Sequence, residues 1–245
     1  MKQRADLALV ARGLAETRAR AQALILAGKV FSGERRVDKA GDPVPEDAPL
    51  AVRGEDHPWV SRGGLKLAHA LSSFGLSPAE RVALDIGAST GGFTHVLLSG
   101  GATRVHAVDV GRGQLAWTLR SDPRVVVHEG VNARYLRADD IGDGVDALVC
   151  DASFIGLRTI LPAPLALCAP GAWAVALIKP QFEAGRDAIG KGGIVRDPAV
   201  HETVVTAIRD WWSGLAGWSV LGVTDSPIHG ADGNREFLIA AARAP

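Results

Sequence analysis

Seven apolar runs of strand length, separated by stretches of helical periodicity, fill the chain from residue 82 onward. The runs are apolar almost throughout instead of alternating with polar residues, as in strands that helices cover on both faces. Helical stretches lie near residues 92–99, 113–120, 157–168 and 199–213. This order predicts a doubly wound, Rossmann-like α/β domain with a mainly parallel sheet and with ligands at the carboxyl ends of its strands. The predicted strands are residues 82–86, 105–110, 125–127, 147–150, 173–178, 219–223 and 237–240.

The first 55 residues follow another pattern and predict a small α+β module. Apolar residues recur at helical spacing over residues 5–12 and 17–27. Thr17 is placed to cap the second helix and Gly28 to end it. The elements predicted after these helices are short strands at residues 30–31, 36–37 and 50–52, a turn at 32–34 and a loop at 41–45.

The chain has no net charge, but its charged residues are unevenly distributed along the sequence. The chain has 27 Lys and Arg and 27 Asp and Glu, a net charge of zero. Residues 1–39 nevertheless hold nine basic and four acidic side chains, a net charge of +5. A basic end can be the footprint of a polyanion such as RNA, although many charge runs are only solvated faces. Pattern and charge together predict a domain at residues 1–55, a linker at 56–62 and a larger domain at 63–245.

The composition argues against several classes of protein. The two cysteines, Cys150 and Cys168, have neither metal-ligand spacing nor the pattern of a disulfide framework. The amino-terminal residues do not resemble a signal peptide, and the apolar runs are shorter than the ~20 residues that span a bilayer. We therefore expect a cytoplasmic protein that uses no metal and has no membrane partner.

A glycine-rich turn after the first predicted strand indicates a nucleotide-like cofactor. Glycines allow a sharp turn and a close approach of the backbone to a ligand, and Asp109 at the end of the next strand can bind ribose hydroxyls. The glycine spacing differs from G-x-G-x-x-G, which disfavours an NAD-dependent oxidoreductase. Asp85 before the turn suits a cationic cofactor, so we predict S-adenosylmethionine; a tight turn without a ligand is the alternative. The predicted cofactor-binding residues are Asp85, Gly87, Ala88, Ser89, Thr90, Gly91, Gly92, Phe93, Asp109, Val110, Asn132 and Asp151.

Four charged residues lie at the edges of apolar runs or beside glycine and proline breaks: Lys66, Asp151, Lys179 and Glu236. Such groups are costly to bury singly, so they are expected to pair with one another or to take part in chemistry. In one cleft, two ammonium and two carboxylate groups can hold one lysine near neutrality. A neutral lysine is what the deprotonation of a ribose hydroxyl requires. The alternative is two ordinary ion pairs at strand ends.

Together these motifs resemble the TlyA family, whose members are rRNA 2′-O-methyltransferases of the FtsJ-like class that have also been labelled hemolysins. The first 55 residues resemble the S-four RNA-binding domain of that family, with Ala5 where a larger aliphatic residue is common. The resemblance implies a class I methyltransferase fold and transfer from S-adenosylmethionine to a cytidine 2′-hydroxyl. The segments that carry the resemblance are residues 85–94, 109–117, 132–134, 151–155, 179–183 and 193–198.

The resemblance also implies that the four charged residues named above form a catalytic tetrad, and their positions in the sequence suggest a role for each. Lys179 is expected to be the general base, Asp151 to orient it, Lys66 to bind phosphate or the developing oxyanion, and Glu236 to hold Lys66; the two lysines could exchange roles. The expected partner is ribosomal RNA or a ribosomal subunit, not DNA. The compact ends of the chain favour 23S rRNA alone over 23S and 16S together. A non-catalytic RNA-binding or membrane-active, hemolysin-like protein is the alternative. The predicted RNA-binding residues are Arg4, Arg18, Arg20, Gln22, Lys29 and Arg62.

Overall fold

The structure, a computed structural model, describes residues 2–15, 17–52, 57–142, 144–190, 192–230 and 232–245. The chain forms two compact units, Met1–Asp56 and His57–Pro245. Residues 57–62, the greater part of the predicted linker, belong to the second unit, where Trp59 packs against an apolar core and Val60 N donates to His95 Nδ1 (3.1 Å).

The first unit combines two helices with short strands. The two predicted helices are present, and Thr17 caps the second by accepting a hydrogen bond from Arg20 N. Gly28 lies one residue beyond the helix C-cap, Ala27, with a φ of +68° that suits glycine. The elements are β1 (Lys2–Arg4), α1 (Ala5–Ala11), α2 (Arg18–Leu26), β2 (Val30–Ser32), β3 (Arg35–Arg36), β4 (Pro43–Pro45) and β5 (Leu50–Val52).

One element of the first unit corrects the sequence prediction. The predicted loop at residues 41–45 contains β4, which pairs antiparallel with β1. Both strands are three residues long, and each gains its ladder bonds from a segment about 40 residues away, so local pattern could not find either. The other sheet of this unit has the strand order β3-β2-β5.

The second unit is a seven-stranded sheet covered by helices, which confirms the predicted Rossmann-like class. The strand order is β11-β12-β10-β9-β6-β7-β8; β12 is antiparallel to both neighbours and the other pairs are parallel. Separate apolar cores lie on the two faces of the sheet. The elements are α3 (Gly63–Phe74), β6 (Val82–Ile86), α4 (Gly92–Ser99), β7 (Arg104–Asp109), α5 (Trp117–Arg120), β8 (Val125–Glu129), α6 (Ala138–Ile141), β9 (Val145–Cys150), α7 (Leu157–Ile160), α8 (Pro162–Ala166), β10 (Cys168–Ile178), α9 (Pro180–Glu183), α10 (Pro198–Ser213), β11 (Trp218–Asp225) and β12 (Phe237–Arg243).

All seven predicted strands are present, whereas three helices differ from expectation. The helix α3 was not predicted, the stretch at 113–120 is helical only at α5, and the stretch at 157–168 is two short helices. Pro162 starts α8 and cannot donate a backbone hydrogen bond, which explains the break between α7 and α8.

Candidate active site

The fold brings the four predicted catalytic residues together at the carboxyl ends of the parallel strands. Asp151 and Lys179 directly follow the parallel strands β9 and β10, so both lie at carboxyl ends. Glu236 directly precedes β12, whose first residue pairs with the last residue of the antiparallel β10. Lys66 lies in the first part of α3, directly before the buried Leu67.

The four side chains form an unbroken series of alternating charges. Lys179 Nζ lies 2.6 Å from Asp151 Oδ1, Lys66 Nζ lies 3.8 Å from Asp151 Oδ2, and Lys66 Nζ donates to Glu236 Oε2 at 2.6 Å. Glu236 and both lysines are buried, while the side chain of Asp151 is 20% exposed. Asp151 is therefore the shared link between the two lysines and the member of the set most open to solvent.

The two lysines have different surroundings. Lys66 lies between two carboxylates. Lys179 faces one carboxylate and two neutral oxygens, since its Nζ also donates to Ser153 Oγ (2.8 Å) and to the main-chain oxygen of Asp151 (3.3 Å). Lys66 is therefore enclosed by carboxylates, whereas Lys179 also contacts neutral oxygen acceptors.

A cavity of about 520 Å³ lies over these residues, within the range of small-molecule sites. All four charged residues line it, together with Ser153, Phe154 and the glycine-rich turn. Phe154 is 90% exposed with a φ of +65°, a rare and strained conformation for a residue other than glycine. Its ring centroid lies 5.1 Å from that of Phe182, so two aromatic rings stand beside the charged groups.

A second cavity, of about 550 Å³, lies along the ends of β6, β7 and β9. Asp109 holds the loops around it: Oδ2 accepts from Ser89 N (2.8 Å) and Oδ1 accepts from Gly111 N (2.7 Å). Gly87 has a φ of +80°, and a Cβ there would lie 3.0 Å from the backbone of Ala152. A carboxylate, a tight glycine turn and Asn132 in one cavity fit the ribose and base of a nucleoside cofactor.

Ten of the twelve predicted cofactor-binding residues line one or both cavities, and Asp85 and Gly91 line neither. Asp85 is fully buried, and its Oδ2 accepts from Thr94 Oγ1 at 2.6 Å. Burial raises the pKa of Asp85 to about 7, against the hydrogen bond from Thr94, and the negative charge of Asp151 acts in the same direction as burial. Gly91 has a φ of +97°, and a Cβ there would overlap the side chain of Leu119.

The predicted RNA-binding residues fall into three groups. Arg62 lines the cavity over the charged residues. Arg4, Arg18 and Gln22 all donate to the buried carboxylate of Asp6 in the first unit. The remaining two are Arg20, exposed on α2, and Lys29, in the turn before β2.

Sequence reasoning missed Asp6, Ser153, Phe154 and Phe182. Ser153 and Phe154 lie in the recognised segment 151–155, so their place beside Asp151 was available, but their contacts depend on the turn. In the described part of the chain, no three or more His, Cys, Asp or Glu side chains gather as they would around a metal ion. Among the helices that the structure describes, none combines the length and apolar character needed to cross a bilayer.

Comparison with known proteins defines the class to which both units belong. The FtsJ-like methyltransferase family model matches residues 59–243, and the S4 domain model matches residues 3–49. Bacillus subtilis YqxC, provisionally named an rRNA methyltransferase, is 50% identical over 239 residues, which cover 97% of this chain and 85% of that protein.

Two further relatives place the chain within this class. The 16S/23S rRNA (cytidine-2′-O)-methyltransferase TlyA of Mycobacterium tuberculosis is 47% identical over 239 residues, covering 97% of this chain and 89% of that protein. A solved Streptococcus thermophilus structure assigned to the hemolysins has 44% sequence identity and a TM-score of 0.78, covering 99% of this chain and 89% of that chain. The chain belongs to the TlyA family of FtsJ-like methyltransferases and carries an S4 domain.

Proposed function

We propose that this protein transfers a methyl group from S-adenosylmethionine to the ribose 2′-hydroxyl of a cytidine in ribosomal RNA. The observation that carries the proposal is the continuous Lys179–Asp151–Lys66–Glu236 series at a cavity that adjoins the glycine-rich turn. Family membership supports methyl transfer, and the S4 domain supports an RNA substrate. The choice of cytidine follows the name of the M. tuberculosis relative.

S-adenosylmethionine supplies an electrophilic methyl group on a sulfonium centre. Asp109 would bind the ribose hydroxyls with oxygen lone pairs that its bonds to Ser89 and Gly111 leave available, and Asn132 would face the adenine. Asp151 and Ser89 line both cavities, so the cofactor's site and the substrate's site share a wall.

Lys179 would act as the general base. In its neutral form an amine has two N–H donors and one lone pair. The donors can serve Ser153 Oγ and the main-chain oxygen of Asp151, which leaves the lone pair for the proton of the 2′-hydroxyl. Lys66, held between two carboxylates, would stabilise negative charge on the substrate oxygen or phosphate.

A test of this assignment exchanges each lysine for arginine, which keeps the positive charge but cannot act as a base. Lys179→Arg should lower kcat for rRNA methylation by about 10²- to 10⁴-fold, the usual contribution of general base catalysis. Lys66→Arg should retain more activity because a cation remains between Asp151 and Glu236. Binding of S-adenosylmethionine, measured by calorimetry, should change little in either variant.

The outcomes separate the parts of the proposal. An inactive Lys66→Arg beside an active Lys179→Arg would reverse the roles of the two lysines. A wild-type protein that binds S-adenosylmethionine but leaves no 2′-O-methyl group on rRNA would refute the substrate. A wild-type protein that binds RNA without binding S-adenosylmethionine would favour the non-catalytic alternative.

A further inference from the structure

A buried carboxylate organises the basic surface of the first unit. Asp6 has no exposed surface, yet it lies among the residues that give this unit its positive charge. Arg4 donates to both of its oxygens, from Nε to Oδ1 (3.0 Å) and from Nη2 to Oδ2 (3.1 Å). Arg18 Nε (2.8 Å) and Gln22 Nε2 (3.0 Å) also donate to Oδ2, and Leu7 N donates to Oδ1 (3.0 Å).

The backbone determines this convergence. Asp6 N donates to Ala40 O (3.1 Å), next to the pairing of β1 with β4, and this bond holds the start of α1 in place. Arg18 and Gln22 are four residues apart on α2, so they share one face of that helix. Arg4 is the last residue of β1. It therefore precedes Asp6 in the sequence, whereas Arg18 and Gln22 follow it.

The hydrogen bonds to Asp6 involve only some of the N–H donors of Arg4 and Arg18. Their side chains are 48% exposed for Arg4 and 55% for Arg18. A guanidinium has five N–H donors. The bonds to Asp6 leave Nη1 of Arg4 and both Nη groups of Arg18 outside the contacts with the carboxylate. Each guanidinium is therefore fixed through one edge, and the contacts with Asp6 leave its other donors for a ligand.

We infer that Asp6 is a positioning residue that fixes Arg4 and Arg18 as a preformed grip for RNA phosphate. The inference rests on the proposed function, since it requires that this unit binds rRNA. An arginine already held in place loses less side-chain entropy when it binds a phosphate. The hydrogen bond from Arg4 holds the pKa of Asp6 well below its usual range, so the carboxylate is charged at any pH at which RNA binding is measured.

The variant Asp6→Asn separates positioning from simple charge because the two predict opposite signs. Removing a negative charge beside two arginines should tighten RNA binding if only net charge matters. Loss of the anchor should weaken it. We expect KM for rRNA to rise about tenfold, the scale of ordering two long side chains on binding, with kcat at saturating RNA unchanged.

A matched control makes the same charge change elsewhere in the unit. Asp38 also pairs with an arginine, Arg36, at 2.7 Å, but the side chains of both are well exposed. Asp38→Asn should leave KM for rRNA unchanged or slightly lower. Thermal unfolding of both variants shows whether the first unit remains folded.

A second variant covers the case in which Asp6→Asn unfolds this unit. Arg18→Lys keeps the charge at an exposed position but lacks the planar fork that serves Asp6 and a phosphate together. It should raise KM for rRNA severalfold at constant kcat, and Arg18→Gln should raise it further. If Arg18→Lys binds rRNA as the wild type does, or a folded Asp6→Asn binds it as tightly or more tightly, the positioning role is refuted. Wild-type protein that binds no rRNA would instead refute the proposed substrate.

Discussion

At the scale of single residues, two carboxylates with similar sequence contexts have opposite environments. Asp85 lies near the end of β6 and Asp151 directly follows β9, both at the boundary between an apolar strand and a turn. Asp151 faces two ammonium groups and is partly exposed. Asp85 is fully buried, and its Oδ1 has no hydrogen-bond partner among the described residues. Both were predicted as cofactor contacts because the sequence indicates where a strand ends. The sequence does not indicate toward which side of the following turn a carboxylate points.

Asp85 should make the stability of the second unit depend on pH. Its pKa of about 7 lies above the ordinary 3.8, so the folded protein retains a proton that the unfolded chain has already released. The stabilising contribution of this proton is complete below about pH 4 and is lost as the pH rises through about 7. Asp85→Asn removes this dependence. Between about pH 4 and 7, the free energy of unfolding of the variant should therefore decrease by about 4 kcal/mol less than that of the wild type.

Urea unfolding at several pH values between 4 and 8 measures this difference, and all six tryptophans lie in the second unit, so their fluorescence reports on it alone. Asp139→Asn, at an exposed position on α6, is the control and should follow the wild type. Parallel curves for wild type and Asp85→Asn would show that Asp85 is ionised in the folded protein.

At the scale of elements, strands were predictable and the helix that carries Lys66 was not. The strands are apolar runs bounded by polar residues, a signal that survives in sequence. The helix α3 begins with Gly63 and Gly64, which are typical of loops. The structure gives these glycines a packing reason: a Cβ on Gly64 would overlap Trp59. Close packing of Trp59 on the start of α3 thus accounts for a loop signal inside a helix.

The start of α4 packs equally closely on the start of α3. A Cβ on Gly92 would overlap Ser61 Oγ and lie 2.9 Å from Gly64 N. Gly92→Ala should therefore displace α3 and separate Lys66 from Glu236 and Asp151. We expect the free energy of unfolding to fall by about 1–3 kcal/mol, as for other overpacking substitutions, and kcat to fall more than the affinity for S-adenosylmethionine.

The control for this prediction is Gly185→Ala, since a Cβ there has open space within 4 Å. Unfolding followed by fluorescence and single-turnover methylation with saturating rRNA give the two readouts. Wild-type values for both in Gly92→Ala would mean that the contact between α3 and α4 does not position Lys66.

At the scale of the whole molecule, the first unit has one apolar core and the second has two, and each unit has its own cluster of buried charged groups. Asp6 gathers cations in the first unit, and Asp151 with Glu236 gathers them in the second. Charge counting along the chain found the basic unit, and the family resemblance named both units. Neither could reveal Asp6 as an anchor, because its partners lie up to 16 residues away and meet it only after the helices pack.

The division into units predicts separable binding. The apolar cores of the second unit contain no residue from the first, so a chain that starts at His57 should fold. It should bind S-adenosylmethionine with the affinity of the full protein. It should lose most of its rRNA affinity, because phosphate contacts from the basic unit supply a large, salt-sensitive share of binding.

Affinity for rRNA measured against salt concentration provides the sharpest comparison of the two chains. Each lost phosphate contact lowers the log–log slope by roughly one unit, so the shortened chain should show a shallower dependence than the full protein. Full-length protein with Arg18→Glu and Arg20→Glu is the matched control, since it keeps both units and reverses two charges; it should approach the shortened chain in affinity and retain S-adenosylmethionine binding. If the chain from His57 methylates rRNA at the full-length rate when RNA is subsaturating, the first unit does not bind the substrate, and its excess of positive charge is only a solvated surface.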